Sequence, residues 1–555
     1  MGAVDDIANR YVDEIAELDP VLATFAGIAG HDDRMTDYSP DGWTAAAELD
    51  RRTLAALDNV EPVDDRESAA REAMQERLRV SLERYDAGIA QHDLNVIDSP
   101  MQHIRQVFDL MPADTEDDWA VISTRLATVP GAVESFRASL DESVRDGDVV
   151  ALRQIINCAR LCDSWTGSEN GEPSFFAALA ERSGQTGSLR SELDQNAAAA
   201  TSAFAAFGDY LRGELAPHGR ERDAAGRDTY RLAARYFLGA DIDLDETYDW
   251  AWNELHRIEA EQSALADRIV PGGSLDDAIA ELNRDPKRTI AGAEAFRDWM
   301  QDLADRSVAG LAGMHFDIPE PIRRLECRIA PTHDGAVYYT GPSEDFSRPG
   351  TMWWAVPEGE DRFATWQQTT TVFHEGVPGH HLQIAQTVYR ADLLNRWQRL
   401  LCWCSGHGEG WALYAERLMA DLGWLDDPGD RIGMLDAQRF RAARVVVDIG
   451  MHLEFDVPQG AGWHEGERFN PDLGWEFLRA HSTVPEKQLR FELERYLGWP
   501  GQAISYKVGE RIWLAAREDV RARQGDAFDL ATFHRAALDL GAMGLDPLRS
   551  ALAKL

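Results

Sequence analysis

Through most of the first 300 residues, apolar side chains recur at three- and four-residue spacing with charges between them. A chain so patterned hides one stripe of each helix and leaves the rest to water. Arg66 to Tyr85 is a clear instance, and Ser188 after Gly187 caps another start. Further helices are predicted at Asp243 to Ile269, Leu275 to Leu282 and Ile290 to Ser307, with Pro271, Gly272, Gly273 and Pro286 as stops. A length of 555 residues, 44% of them hydrophobic, suffices to bury a large core. No fixed-period repeat is present.

The texture changes near Gly310. From there to about Pro357 the chain is rich in Pro, Gly, Tyr and Thr. Ala336-Val337-Tyr338-Tyr339-Thr340 and Thr351-Met352-Trp353-Trp354-Ala355-Val356 carry strand signals, and Gly341-Pro342 and Pro349-Gly350 mark turns. After Glu358 the helical pattern returns. The sequence therefore predicts a mainly α protein with one small β element. Residues 1–310 form a helical scaffold and 311–555 a catalytic half, within one continuous structural unit.

Acidic residues number 96 against 56 basic ones, a net charge of −40. Such a surface repels phosphate backbones and anionic lipid, which argues against nucleic acid and membrane partners. Only four of the basic residues are lysines: Lys287, Lys487, Lys507 and Lys554. The five cysteines (Cys158, Cys162, Cys327, Cys402, Cys404) are an odd, sparse set that suits a reducing cytoplasm, and they read as buried thiols. Met1 to Glu14 is acidic where a signal peptide would be basic and apolar, and no run of eighteen apolar residues occurs. The expected location is cytoplasmic.

The most unusual segment is Thr371-Val372-Phe373-His374-Glu375-Gly376-Val377-Pro378-Gly379-His380-His381-Leu382-Gln383. A His-Glu pair followed by another His on a helix is the chemistry of zincins, in which two imidazoles hold Zn²⁺ and the Glu activates water. Zincins place the second His four positions after the first, whereas here the next ones lie six and seven on. Regular helix would separate them by roughly 9 to 10.5 Å, too far for one ion. Pro378 removes a donor and clashes with the carbonyl of His374, so the helix must break, and a break can return His380 to His374. His381 then serves as a hydrogen-bonding neighbour or a substrate contact. The alternative is a helix pair joined at Pro378-Gly379 whose histidines are simply satisfied by hydrogen bonds. A third ligand is offered by Glu409, 29 residues beyond His380 at the start of a new helical pattern, with His407 as a competitor. Glu416, seven after Glu409, lies on the same face and either orients a ligand or meets Arg417 and solvent.

His374 to Gln383, Glu409-Gly410-Trp411-Ala412-Leu413-Tyr414-Ala415-Glu416, and Tyr496 to Gly509 resemble the domain-of-unknown-function 885 family. Arg444 to His452, Asp37-Tyr38-Ser39-Pro40 and the Tyr338 to Trp354 segment extend the resemblance over nearly the whole chain. The resemblance implies a zincin-like metallopeptidase fold, helical and deeply cleft, with His374, His380 and Glu409 as metal ligands and Glu375 as general base. Gly376-Val377 departs from the usual Ala and aromatic at those positions and leaves the ligands intact.

A zinc hydrolase also needs a donor for the oxyanion, and His452, Tyr496 and Tyr506 are the candidates, with Asp448 one turn before His452 to orient it. Lys507, beside Gln502 and Tyr506, is placed to bind a substrate carboxylate. Val337 to Thr340 sits where a zincin edge strand pairs with an extended peptide, so Tyr339 and His381 join the substrate contacts. The expectation is a hydrolase of short peptides with one Zn²⁺, or another divalent ion, per chain. Its rivals are a metal-dependent amidase on N-acyl amino acids and a metal-free helical peptide-binding protein. Oligomeric state is not legible in the sequence.

Overall fold

The computed structural model describes residues 2–169, 171–330 and 337–555, and within them the protein is mainly α-helical with five short strands. Two compact units emerge, and neither is a continuous stretch of chain. The first gathers Met1–Glu61, Leu78–Leu232 and Arg490–Pro500, and the second Pro62–Arg77, Ala233–Leu489 and Gly501–Leu555. The expected division at residue 310 falls inside the second unit and matches no boundary of either.

The first unit is organised on the helix Glu116–Asp146. Thr115 caps its start by accepting from the Asp118 amide, and Gly147, at φ 73°, ends it in the left-handed region. Ile122, Leu126, Val129, Val133, Phe136 and Leu140 repeat at three and four and are buried against Ala197, Ala200, Phe204 and Phe207 of the helix Gly187–Tyr210. Each such side chain stabilises the fold by about 1.5–3 kcal/mol. Arg125 shares this helix and is fully buried, yet it donates to the carbonyls of Pro20, His31 and Arg34 and to Thr24, so its charge is hydrogen-bonded throughout.

The second unit carries every chemically suggestive segment except Tyr496. Its long helix Pro428–Leu453 packs against Leu244–Ile269 and Thr365–Glu375, and the latter also packs on Ser405–Asp421. Val445, Val446, Val447 and Ile449 on the long helix are fully buried, so this helix is core on most sides. Three strands form one sheet in the order Leu325–Ile329, Gly350–Trp354, Tyr338–Thr340, the first pair parallel and the second antiparallel. Ala336, read as part of the last strand, lies outside the described residues. Ile290 was expected to open a helix but is in a strand, because Thr289–Ala291 pairs antiparallel with Arg362–Ala364; the helix begins at Ala293. No helix among the described residues is long and apolar enough to cross a membrane.

Helix Ser405–Asp421 lies unusually close to Ser505–Gln524. A Cβ on Gly410 would stand 2.5 Å from the carbonyl carbon of Gly509, and one on Gly509 would overlap the Gly406 carbonyl oxygen. Only glycine at these positions lets the two backbones meet, and the Trp513 indole seals the contact by donating to the His407 carbonyl at 3.1 Å. Gly410→Ala is therefore expected to lower stability by about 1–3 kcal/mol through overpacking, read from the urea midpoint.

Candidate metal centre

Helix Thr365–Glu375 stops where the sequence demands it. The Gly376 amide still reaches the Val372 carbonyl, the Val377–Pro378 peptide is cis, and the Gly379 amide returns to the Phe373 carbonyl at 3.1 Å. The next helix, His380–Tyr389, starts at once. A Cβ on Gly379 would overlap the His374 carbonyl oxygen, so the tight reversal requires glycine there. The Trp411 indole clamps the turn from the neighbouring helix by donating to the Pro378 carbonyl at 2.8 Å. The outcome is that His380 stands beside His374, ring centroids 4.9 Å apart and nearly perpendicular.

Glu409 completes a cluster. One ligand atom each from His374, His380 and Glu409 lie within 4.8 Å of one another. Glu409 Oε2 is 3.4 Å from His374 Nε2 and 3.5 Å from His380 Nε2. Donors at 2.0–2.1 Å from a tetrahedral zinc stand about 3.3–3.4 Å apart, so these spacings are those of ligands around an ion. Glu409 Oε2 is also buried with no hydrogen-bond partner, as is His380 Nδ1. Two imidazoles and one carboxylate suit Zn²⁺ and leave a coordination position over. The residues present fit the ion.

Behind the cluster, Glu416 Oε1 accepts from His374 Nδ1 at 2.7 Å and Thr370 Oγ1 donates to Glu416 Oε2 at 2.5 Å. This orients the His374 ring, with Nδ1 on Glu416 and Nε2 turned toward Glu409. Burial alone would lower the His374 pKa, but Glu409 and Glu416 outweigh it and raise it to about 9. Burial alone would raise Glu409, but His374 and His380 hold it below the usual carboxylate range. Glu416 is likewise held low against burial by Arg441, His374 and Thr370. Glu416→Ala is expected to weaken metal binding about 10–100-fold in a competition titration with a chelator.

Glu375 follows His374 directly, is 7% exposed, and has no hydrogen bond or ion pair among the described residues. Its carboxylate is not committed to a neighbouring group. His407, the competing ligand, lies outside the cluster: its Nδ1 is 3.3 Å from Gln383 Nε2, and burial pushes it down to about 4.

The remaining sequence candidates divide. His381 and Tyr339, expected to touch substrate, are used up on each other. His381 Nε2 donates to the Ile322 carbonyl at 2.6 Å, so its Nδ1 accepts from the Tyr339 hydroxyl at 2.9 Å. Burial pushes His381 down to about 4, the neutral ring this arrangement needs. The pair ties the strand Tyr338–Thr340 to the helix that begins with His380. Lys507, expected to hold a substrate carboxylate, is 1% exposed and bonded to Gln438 and Glu510 at 2.5 Å each and to Glu254 at 3.0 Å, which leaves no donor over. Tyr496 belongs to the first unit and donates its hydroxyl to Glu492, so that proton is committed. His452 is buried with Nε2 3.8 Å from Asp448 Oδ1, too far for a hydrogen bond, and Asp448 Oδ2 accepts from the Gly501 amide. Gln502 is buried against Ser405 at 3.4 Å. Tyr506 is half-buried and flanked by Arg441 and Arg444, whose guanidinium carbons lie 5.7 and 4.8 Å from its ring centre. Thr370 and Arg441 were missed by the sequence reading. Thr370 stands one turn before His374, a signal that could have found it.

A family model described as a bacterial protein of unknown function, DUF885, matches residues 20–552. The chain belongs to the DUF885 family. Two solved structures share the fold. A "putative lipoprotein" from Colwellia psychrerythraea superposes with a TM-score of 0.84 at 20% identity, covering 99% of this chain and 98% of its own. A "putative lipoprotein" of unknown function from Shewanella oneidensis gives 0.75 at 14%, covering 99% of both chains. A carboxypeptidase from Pyrococcus furiosus, at 11% identity over 100% of this chain and 99% of its own, reaches only 0.37, too low to carry a fold argument. No curated protein matches the chain.

Proposed function

We propose that this DUF885 chain is a zinc-dependent hydrolase of short peptides with a zincin-like fold. The observation that carries the reading is the cluster of buried His374 and His380 with half-buried Glu409, at ligand spacing, with an unengaged carboxylate, Glu375, one residue from the first ligand. Bound there, the ion supplies Lewis acidity toward a carbonyl oxygen and lowers the pKa of a water. Glu375 takes a proton from the attacking water as its oxygen adds to the carbonyl carbon, and returns that proton to the leaving nitrogen as the C–N bond breaks. Glu416 and Thr370 keep His374 aimed throughout. Tyr338–Thr340, an edge strand, offers main-chain groups to an extended peptide, and the Tyr339–His381 bond holds that strand to the metal-ligand helix. His452 and Tyr506 are the donors assigned to the developing oxyanion in this reading.

A metal-free binding protein would leave Glu409 Oε2 and His380 Nδ1 buried without a hydrogen bond for no return. The five unpaired cysteines support a reducing, cytoplasmic setting. The test is elemental analysis of protein purified without a histidine tag or chelator. About one zinc per chain is the expected result. No metal after incubation with zinc and other divalent ions would overturn the proposal. A peptide library run beside N-acyl amino acids then separates a peptidase from an amidase.

A further inference from the structure

The helix Pro428–Leu453 carries several arginines, and two of them close on a carboxylate: Arg431 on Glu261 at 3.2 Å and Arg439 on Asp436 at 2.9 Å. Arg441 is different. Its side chain is 17% exposed, its Nε is fully shielded, and among the described residues no hydrogen bond reaches any of its N–H groups. The carboxylate oxygen it faces, Glu416 Oε1, is 3.9 Å away and already engaged at 2.7 Å by His374. Beside it, Arg444 sits against the rings of Phe440 and Tyr506, so two guanidinium groups flank Tyr506. In a chain with 96 acidic residues, an arginine this sheltered and this poorly satisfied points to an anion that arrives from outside.

We infer that Arg441 is the anchor for a free α-carboxylate, so that the substrates are short peptides cleaved near their C-terminal end. This rests on the hydrolase reading above. Two contacts, Arg441 to Glu416 and Glu416 to His374, link the guanidinium to the cluster, so an anion held by Arg441 is two contacts from a ligand side chain. The planar fork of Arg matches a carboxylate with two parallel hydrogen bonds. The chain's net charge of −40 would otherwise repel such a substrate. Lys507, the alternative cation, is spent on its own buried network.

The experiment uses the zinc-loaded full chain and pairs of short peptides identical except for a free or amidated C-terminus. Wild-type protein is expected to favour the free acid about 10–100-fold in kcat/KM, the worth of a charged hydrogen bond. In Arg441→Gln the two rates should converge, with zinc content unchanged; Arg441→Lys should restore part of the preference. Calorimetric binding of the same pairs to Glu375→Gln should show the same discrimination without turnover. Equal treatment of acid and amide by the wild type would overturn the inference and leave the hydrolase reading standing. So would an Arg441→Gln protein that loses zinc and both activities alike, since Arg441 would then merely balance the charge of Glu416. Failure of the zinc-loaded wild type to bind or cleave any peptide removes the hydrolase reading and this inference with it.

Discussion

Glu375→Gln is expected to take up zinc as the wild type does and to hydrolyse peptides about 10²–10⁴-fold more slowly. The substitution keeps the shape of the side chain and removes only its capacity to accept a proton. Because Glu375 is not among the three clustered ligand atoms, metal content should be untouched. Elemental analysis and kcat/KM on one preparation check both halves. Undiminished turnover would mean that another base acts, and the mechanism given above would fall.

His374→Ala is expected to abolish zinc binding and to cost about 3–5 kcal/mol of stability even without metal. The ring is the shared partner of two carboxylates, buried Glu416 at 2.7 Å and half-buried Glu409 at 3.4 Å, and its removal leaves both charges facing a cavity. Urea unfolding of the metal-free protein measures the second effect separately from the first. His381→Ala is the informative control. His381 lies outside the cluster, so its loss should spare zinc, and loss of zinc in that variant but not in His380→Ala would reassign the ligand.

The helical class was legible because three- and four-residue apolar spacing is local information, and Asp243 to Ile269 reappears as Leu244–Ile269 with Asp243 as its cap. The strand Thr289–Ala291 was not, since its partner Arg362–Ala364 lies far along the chain and three residues carry too little pattern to oppose a neighbouring helix. At the site, the Pro378-Gly379 break could be argued from the clash at the His374 carbonyl, and the turn seen there brings the two rings together. Glu409 could be proposed from its place at a helix start, but choosing it over His407 depended on family resemblance, because nothing local distinguishes a ligand carboxylate from a helix-start one. Lys507 was misread for a related reason. Its neighbours Gln502 and Tyr506 suggested a substrate-carboxylate site, whereas Glu254 and Gln438, contributed by other helices, decide its environment. Arg441 escaped notice among 52 arginines, since an unmet hydrogen bond is a property of surroundings and not of sequence.

All five thiols are buried and unpaired, and burial pushes each of them up, Cys327 and Cys162 to about 12. They are therefore nearly inert to alkylating reagents while the fold is closed, because the thiolate is the reactive form. Cys158 and Cys162 lie in the first unit and Cys327, Cys402 and Cys404 in the second. The protein thus carries a built-in pair of opening clocks: the rate at which each group becomes alkylated reports how often its own unit breathes, and whether loading the metal centre quiets one unit or both.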